Sequence, residues 1–312
     1  MSKISVIIVS WNARGYLRDC LTSVYQTGAS VVQEVIVVDN ASSDGSPEMV
    51  AQEFPQVRLV PAGGNLGFAR ANNLGIKQAS GTMLALVNSD VVVHPDCFQR
   101  LAAYLERHAE VGLVGPKVNG RDGLIQLTCA RLPTLWNTLC QFLVLDKLFS
   151  GWRFFSGFQM PAAEHERGGE VEVLSGCFWL ARRAAVDKLG GLDERFFFYA
   201  EDMDWCKRFR DALWKVTYVP EATATHFGGG SSANAPLRYY IEILRANLIY
   251  WKKHYGLLGQ FAYYCLAVLQ HGVRLVARSL MKLAGAANPE ECQKRLQEHI
   301  VCLRWLLTGK GV

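Results

Sequence analysis

The sequence predicts an α/β fold, with a mostly parallel sheet flanked by helices and a helical extension at the C-terminus. Short, nearly continuous apolar runs rich in β-branched residues alternate with amphipathic segments through the first third of the chain, as expected of strands covered on both faces. This strand–helix alternation is typical of parallel sheets with right-handed crossovers. Half of the 312 residues are hydrophobic, which is enough for a large core.

The first elements are two strands and the helix between them. The runs "ISVIIVSW" and "EVIVVDN" predict the strands. Between them, "RGYLRDCLTSVYQTG" places apolar residues at helical spacing and ends in Gly28. The alternation continues through a helix near residues 46–54, the strand "VRLVP", a helix from Gly67 to about Ala79 and the strand "TMLALV".

The remainder of the chain is less regular until its helical end. Residues 118–171 show no sustained period, so we assign them no secondary structure. From Pro236 onward the pattern predicts helices. We therefore predict an α/β domain over residues 1–235 and a helical, basic, amphipathic region over residues 236–312.

The charge is unevenly distributed. From Pro236 to the end there are 11 Lys and Arg against 4 Glu and no Asp, whereas the preceding part carries 22 basic and 24 acidic residues. That balance argues against a nucleic-acid-binding protein. In the tail, Arg274, Arg278 and Lys282 form a basic stripe at every fourth residue. The stripe predicts contact with an anionic membrane surface; the alternative is packing against the α/β domain or a partner subunit.

Cysteine content and hydropathy predict the cellular location of the protein. The nine cysteines are scattered without a CxxC pair, and no secretory signal precedes the first strand. The longest apolar stretch, from Leu257, is interrupted by Gln260 and Arg274, which argues against a membrane-spanning helix and leaves open a helix that lies on a membrane. We expect a cytoplasmic protein, peripheral on the inner face of the cytoplasmic membrane.

Polar residues follow three of the predicted strands at the point where each strand ends. In α/β sheets, ligands bind at the carboxyl ends of the strands, so these residues are expected to share one rim. They are Ser10, Trp11 and Asn12 after the first strand, Asp39, Asn40 and Ser42 after the second, and Asn88, Ser89 and Asp90 after the fourth.

Two carboxylates at this rim have both a structural and a functional interpretation. Asp39 is suited to accept hydrogen bonds from a uracil, thymine or guanine ring, but "DNASSDGS" is also an ordinary helix-capping sequence. Asp90 is suited to hold a divalent cation shared with substrate phosphates, but Asn, Ser and Asp before "HPD" are also common turn residues.

The stretch "GGLDERFFFYAEDMDWCKRF" is the richest in candidate catalytic groups. Aromatic residues directly before Glu201 and Asp202 indicate a partly desolvated pocket in which a carboxylate accepts a proton. Acidic residues also favour a helix N-terminus, and Asp204 is spaced to pair with Arg208. Further on, His226 precedes a Gly-rich loop, where it is either structural or close to phosphates.

Taken together, these segments resemble glycosyltransferase family 2, of the GT-A fold, and within it the rhamnosyltransferase-like branch that builds bacterial surface polysaccharides. The resemblance covers roughly residues 3 to 232 in the family's order. It rests on "SVIIVSWNARGYLRDCLTSV", "EVIVVDNASSDGS", "NLGFARANNLGIKQASGTMLALVNSDVVV", "LSGCFWLARRAAVDKLGGLDERFFFYAEDMDWCKRFR" and "HFGGGSS".

The resemblance implies a role for each matching residue. It places Asp202, with Glu201 beside it, at the catalytic centre as the base of the "ED" motif, and it makes Asp90 and His226 the metal side. Trp205 and Arg208 fall near the acceptor. The residues implied to bind the nucleotide-sugar are Ser10, Asn12, Asp39, Asn65, Gly67, Asn72, Asn88 and Ser89.

One departure concerns the metal-binding DxD motif. Its first Asp is Asn88 here, so Asp90 is the one carboxylate of the motif. The implied cofactor is Mg²⁺ or Mn²⁺, and the implied reaction is single displacement with inversion at the anomeric carbon.

The implied partners are a nucleotide-sugar and a glycan or lipid-linked acceptor. dTDP-L-rhamnose is favoured as the donor, with UDP- and GDP-sugars open, and homo-oligomerisation is also left open. Two rivals are a sugar-phosphate nucleotidyltransferase and a non-catalytic nucleotide-sugar binder or membrane scaffold. "SWNARGYL" lacks the Gly-rich basic loop of the first rival, and the set of acids with His226 argues against the second.

Overall fold

The structure, a computed structural model, describes residues 3–149, 151–228, 236–285 and 288–310. Its strands are β1 (Ile4–Ser10), β2 (Val32–Asp39), β3 (Arg58–Pro61), β4 (Met83–Asn88), β5 (Val91–Val93), β6 (Val111–Asn119), β7 (Cys129–Ala130), β8 (Gly169–Glu170), β9 (Val173–Leu174), β10 (Phe178–Arg182) and β11 (Lys215–His226).

The helices confirm the predicted alternation. They are α1 (Arg14–Gly28), α2 (Ser46–Glu53), α3 (Phe68–Gln78), α4 (Cys97–Arg107), α5 (Leu135–Phe142), α6 (Leu145–Leu148), a 3₁₀ turn (Arg153–Phe155), α7 (Ala162–His165), α8 (Arg183–Leu189), α9 (Glu201–Asp211), α10 (Pro236–Leu283) and α11 (Pro289–Thr308). Residues 118–171, left unassigned from sequence, contain only short elements, which explains why no period was visible.

The main sheet is mixed, in the order β3-β2-β1-β4-β10-β6-β11-β5, with β8 also on β11. The first four strands of that order are parallel, as the sequence predicts. β10 then enters antiparallel between β4 and β6, and β11 runs parallel to β6 but antiparallel to β5. Because β10 is antiparallel to both neighbours, it needs no crossover helix. The alternation of strands and helices in the sequence therefore did not predict its place in the sheet.

Alternating side chains of each strand supply two cores, one on each face of the sheet. On β1, Val6 and Ile8 belong to the core beneath α1 and α4. Ile7, between them, belongs to the opposite core, which includes Trp179 and Trp205. The period-two alternation of a strand produces this division.

The described residues form two compact units. The first lies within Met1–Leu132, Gln159–Phe197 and Glu201–Ser231, and the second within Pro133–Phe158, Phe198–Ala200 and Ser232–Val312. The grouping of Pro133–Phe158 with the C-terminal helices was not part of the sequence prediction. The boundary predicted at residue 235, like Gly229, Gly230, Ser231 and Ser232 of the "HFGGGSS" motif, lies outside the described residues.

In the second unit, α10 and α11 pack together and α5 packs on α10. Gly256, at a φ of 71°, interrupts α10 and begins its second half. Asn288 caps α11, since its side-chain oxygen accepts from the backbone N–H groups of Glu290 and Glu291. Among the described residues, no helix is long and apolar enough to cross a bilayer.

We expect Gly75→Ala to destabilise the first unit, although alanine favours helix by about 1 kcal/mol. A Cβ at this position in α3 would collide with Ile7 and come within 3.3 Å of Val38. Overpacking of this kind costs about 1–3 kcal/mol. Urea unfolding of the full chain measures the net loss. Gly15→Ala in α1 is the control, since its Cβ meets open space and it should leave stability unchanged or raise it by up to about 1 kcal/mol. If Gly75→Ala were as stable as the wild type, the close packing of α3 on Ile7 would be contradicted.

Candidate active site

Three polar strand ends meet at one edge of the sheet. β1 lies between β2 and β4, and all three run parallel. In register, Ser10 is opposite Asp39, and Val9 is opposite Asn88. The predicted nucleotide-sugar residues at these ends therefore lie side by side, followed directly by Ser89 and Asp90.

The loops after β1 and β2 are tied to each other by side chain–backbone hydrogen bonds. Asn12, with a φ of 49°, accepts from the N–H of Ser43 at 2.7 Å and donates its own N–H to the Ser42 hydroxyl at 3.0 Å. The Asp39 carboxylate accepts from the Ser42 N–H at 3.2 Å. Asn12 and Asp39 thus shape the rim by bonding to loop backbone groups, whereas the N-cap of α2 is Gly45, which has no side-chain cap. Nucleotide binding by Asn12 and Asp39 stays a prediction.

Two predicted binding residues are almost entirely buried. Ser10 has no solvent exposure, and its hydroxyl oxygen has no hydrogen-bond partner among the described residues. Asn72 is 1% exposed and donates to the Phe68 carbonyl one turn earlier in α3. A nucleotide contact by either side chain stays a prediction; the structure assigns Asn72 a helix-bracing hydrogen bond.

Asn40, predicted at the rim but given no binding role, joins the end of β2 to the loop before α3. Its carboxamide nitrogen donates to the Asn65 side-chain oxygen at 3.0 Å, and its oxygen accepts from the Leu66 N–H at 2.8 Å. Gly67, at a φ of 80°, leads into α3, and a Cβ there would collide with the Phe197 carbonyl. Glycine is needed here because other residues would meet both backbone strain and this collision.

On the metal side, Asp90 and His226 lie together. His226 Nε2 is 3.2 Å from Asp90 Oδ1, and both side chains are largely buried. β11 pairs antiparallel with β5, so His226 is opposite Val91. The pairing brings together two residues 136 positions apart in the sequence.

Gln126 holds the His226 ring, and sequence reasoning missed it because it lies in no motif. Its amide nitrogen donates to the His226 carbonyl at 2.8 Å, so its oxygen, 2.9 Å from Nδ1, is left to accept. The hydrogen-bond pattern therefore assigns the ring proton to Nδ1. In the neutral ring, Nε2 then presents a lone pair toward the Asp90 oxygen.

Two adjacent acceptors at this distance repel unless a proton or a cation lies between them. Ligands of one octahedral Mg²⁺ or Mn²⁺ are about 3 Å apart when they occupy neighbouring positions. The Asp90–His226 pair therefore fits as part of a cation shell. Among the described residues no group of three or more His, Cys, Asp or Glu gathers around one point, so the rest of such a shell would come from other ligands.

The acidic pair lies next to the end of β4. The Asp202 carboxylate accepts hydrogen bonds from the N–H groups of Met203 and Gly176. The following residue, Cys177, accepts from the backbone N–H of Asn88 at 3.0 Å. The segment 176–177 therefore links Asp202 directly to the strand end that precedes Asp90.

Burial raises the pKa of both carboxyl groups, Glu201 and Asp202, and their different hydrogen bonds decide which one ionises first. Desolvation, and then the charge of Asp202, raises the pKa of Glu201 to about 8. Desolvation also raises the pKa of Asp202, against the pull of its backbone hydrogen bonds. Oε2 of Glu201 is buried without a partner among the described residues, whereas Asp202 has donors. Of this coupled pair, Asp202 therefore ionises first, and Glu201 keeps its proton to a higher pH.

The backbone before α9 adopts an uncommon conformation. Tyr199 and Ala200 both have positive φ angles, 72° and 62°. Two consecutive left-handed non-glycine residues are costly, and such strain concentrates at functional sites. This turn delivers Glu201 and Asp202 to the first residues of α9.

Trp205 and Arg208, predicted on the acceptor side, hold the loop before α9. Arg208 pairs with the fully buried Asp204 at 2.9 Å and donates to the carbonyls of Leu189 and Gly191. Trp205 has no solvent exposure and donates to the Gly190 carbonyl at 3.2 Å. The structure gives both residues positioning contacts, and contact with an acceptor stays a prediction.

Asn73 fastens the same loop from α3. Its side-chain oxygen accepts from the Leu192 N–H at 2.9 Å, and its nitrogen donates to the Leu192 carbonyl at 2.8 Å. Gly191 leaves no room for a Cβ beside that oxygen. Asn73 was not selected from sequence because a helical asparagine gives no local sign of a partner 119 residues away.

Comparisons with known proteins identify related sequences. The model of the family described as "Glycosyl transferase family 2" matches residues 5–190. An N-acetylglucosaminyl-diphospho-decaprenol L-rhamnosyltransferase of Mycobacterium tuberculosis is 28% identical over 302 residues, covering 90% of this chain and 97% of that protein. Glycosyltransferase AglE of Haloferax volcanii is 34% identical over 246 residues, covering 78% of this chain and 69% of that protein.

Solved structures with the same fold are more distant in sequence. A Pyrobaculum calidifontis mannosyltransferase, solved with GDP-Man and Mn²⁺, has a TM-score of 0.61 at 16% identity, covering 99% of this chain and 88% of its own. GalNAc-T7, solved with UDP, GalNAc and Mn²⁺, has a TM-score of 0.59 at 14% identity, covering 98% of this chain and 56% of its own.

The proton on Glu201 makes stability depend on pH. The folded pKa is about 8, against 4.5 for the free side chain, so the folded state binds more protons between these values and stability falls as the pH rises through that window. We expect Glu201→Gln to flatten the decline of the melting temperature between about pH 5 and 8. Glu48→Gln, at an exposed position, should leave the wild-type slope unchanged. A Glu201→Gln slope equal to that of the wild type would refute the buried proton.

Proposed function

The chain belongs to glycosyltransferase family 2, and from that premise we propose that it transfers L-rhamnose from dTDP-L-rhamnose to a lipid-linked saccharide during assembly of a bacterial surface polysaccharide. The predicted GT-A fold and glycosyltransferase class are confirmed. Family membership argues against both rivals, the nucleotidyltransferase and the non-catalytic binder. Inversion is typical of the family.

One observation carries the catalytic part of the proposal. Asp202 is the carboxyl group of the buried pair that ionises first, and segment 176–177 connects it to the end of β4, directly before Asp90. A desolvated carboxylate that keeps its charge is an effective proton acceptor. A cation-binding group on one side and a base on the other is the arrangement that a direct displacement needs.

In the proposed reaction, an acceptor hydroxyl oxygen forms the new bond to the anomeric carbon. The hydroxyl proton passes to the Asp202 carboxylate, and the bond from the anomeric carbon to the diphosphate oxygen breaks. The nucleoside diphosphate leaves with that electron pair. Since attack and departure take place on opposite faces of the sugar, the anomeric configuration inverts and no covalent enzyme intermediate forms. Glu201, which is protonated, does not compete for the proton.

Asp90 and His226 are the residues that would hold Mg²⁺ or Mn²⁺. The fit rests on their 3.2 Å separation and on the Nε2 lone pair that Gln126 leaves directed at Asp90. When bound, the cation would neutralise charge that develops on the diphosphate. Asn88 and Ser89 lie beside this pair and are available to the sugar or ribose as neutral hydrogen-bonding groups.

For the donor, the proposal relies on the strand-end rim. Asp39 is suited to accept from the imide N–H of thymine, and Asn12, Asn65 and Gly67 line the same edge. The choice of rhamnose comes from the mycobacterial relative, which is named as an L-rhamnosyltransferase. The hydroxyl of Ser10 is a buried group without a described partner, which supports a role in binding.

The acceptor part of the proposal also draws on that relative, whose name describes an acceptor saccharide on a decaprenyl diphosphate. A lipid-linked acceptor places the reaction at a bilayer surface. We propose that the enzyme works as a peripheral protein at the inner face of the cytoplasmic membrane, with Trp205 and Arg208 supporting the acceptor side of the site.

We expect Asp202→Asn to lower turnover by about 100- to 10,000-fold, because the variant loses the proton acceptor, while dTDP affinity changes little. Release of the nucleoside diphosphate from a panel of dTDP-, UDP- and GDP-sugars measures the loss of turnover. The same panel measures the donor preference, which should favour dTDP-L-rhamnose. Glu201→Gln is the matched control, since it keeps a neutral group and should retain most activity. Full activity of Asp202→Asn would show that Asp202 is not the catalytic base. Preference for a sugar carried on another nucleotide would show that dTDP-L-rhamnose is not the donor.

We expect Gln126→Leu to weaken Mn²⁺ binding by about 10- to 100-fold, the usual effect of losing a group that orients a metal-bound histidine. Electron paramagnetic resonance of free Mn²⁺ in the presence of dTDP measures this without turnover. Gln126→Glu keeps an acceptor for Nδ1 but loses the donor to the His226 carbonyl, so its Mn²⁺ affinity should fall between those of the wild type and Gln126→Leu. The exposed Gln78→Leu should have no effect. Equal Mn²⁺ affinity in Gln126→Leu would show that the ring does not need this hydrogen bond.

A further inference from the structure

The second half of α10 carries a line of exposed apolar side chains, which we call the apolar ridge. It comprises Leu258, Phe261, Cys265, Leu269, Val273, Val276, Leu280 and Leu283. The members follow one another every three or four residues, so they lie on one face of the helix. Leu258 and Leu283 at its ends are both 85% exposed. At 1.5 Å per residue, the ridge is about 38 Å long.

This surface is unusually apolar for a solvent-exposed helix. None of its members is charged or capable of a strong hydrogen bond. Together with Leu257 beside them, these side chains expose on the order of 1,000 Å², beyond the roughly 300–600 Å² of the largest patch on a typical monomer. A face of this kind indicates a partner.

The basic stripe predicted to dock on membranes does not lie on this face. Arg274 and Arg278 are on the side of α10 that packs on α11, next to the buried Ala267 and His271. The Arg278 carbonyl accepts from the Cys292 thiol, and Lys282 Nζ donates to Gln293 of α11 at 2.5 Å. The stripe therefore flanks the contact between the two helices, and the apolar ridge is on the opposite side.

Net charge distinguishes a lipid surface from a second copy of the chain. The region from Pro236 has 11 Lys and Arg against 4 Glu, an excess of seven positive charges. A second copy of the chain carries the same positive excess, so pairing along the ridges would gain no electrostatic attraction from it. An anionic bilayer attracts them, by about 1 kcal/mol for each Lys or Arg near the surface. The same unit also exposes Trp152 and Phe154, each to 67%, and aromatic side chains of this kind favour the membrane interface.

We propose that the apolar ridge of α10 lies in the interfacial region of an anionic phospholipid bilayer, parallel to its surface, with the cations of the C-terminal region drawn to lipid phosphates. The ridge would enter about 5–10 Å, the depth usual for interfacial helices. The inference does not depend on the identity of the donor or the acceptor.

Flotation of the full-length protein with vesicles of phosphatidylcholine, with or without 30% phosphatidylglycerol, tests the proposal. These vesicles contain no saccharide acceptor, so failure of the proposed transfer would not affect the outcome. The wild type should float with the anionic vesicles and less with the neutral ones. Phe261→Glu/Val276→Glu should reduce vesicle affinity at least tenfold. Gln297→Glu/Thr308→Glu, which adds the same charge on the exposed face of α11, should change it less than threefold.

Further controls keep the result interpretable. Donor hydrolysis and circular dichroism verify that the ridge variant is folded, and Phe261→Ser/Val276→Ser removes apolar contact without adding charge and should also weaken binding. Light scattering measures the oligomeric state. Unchanged flotation of both ridge variants would overturn the proposal. So would a wild-type dimer that does not bind vesicles and that the ridge substitutions dissociate, since the occupant would then be a second copy.

Discussion

Parallel hydrogen bonding of β1 between β2 and β4 is the constraint on which the candidate site depends. Because the three strands run in one direction, their carboxyl ends meet at one edge, with Ser10 opposite Asp39 and Val9 opposite Asn88. Loops that leave the sheet there must satisfy their own backbone groups, and Asn12, Asp39 and Asn40 do so with their side chains. The same polar residues that shape the rim are therefore present where a nucleotide would bind.

The acidic pair shows how burial assigns different states to neighbouring carboxyl groups. Asp202 receives two backbone N–H groups, whereas Glu201 Oε2 lies in a buried position without a described partner. Charge therefore collects on Asp202, and the proton stays on Glu201. Around them, Asp204, Arg208 and Asn73 fix the preceding loop through carbonyl and amide contacts. Many of the polar side chains near the site thus have a structural role, and their hydrogen bonds determine where the Asp202 carboxylate lies.

The second unit places opposite properties on opposite faces of one helix. The Arg274 side of α10 packs on α11, while the ridge from Leu258 to Leu283 is open. From sequence, the regular spacing of the cations was the more visible feature, and it directed the membrane hypothesis to the basic stripe. Which face is covered depends on α11, since a helix buries the side that its neighbour contacts, whatever charge that side carries.

Local pattern was sufficient for β1, α1, β2, α2, α3 and β4, since period-two and helical spacing are properties of neighbouring residues. It was also sufficient to select Asp39 and Asp90 by their place at strand ends, and Asp202 and His226 by the aromatic and Gly-rich residues next to them. Tertiary structure decided the antiparallel insertion of β10 and the hydrogen bonds of Gln126 to His226. It also decided which carbonyl groups Arg208 contacts and which face of α10 is exposed. Each of these joins segments far apart in the chain or depends on what covers a surface, and such information is absent from any short window of sequence.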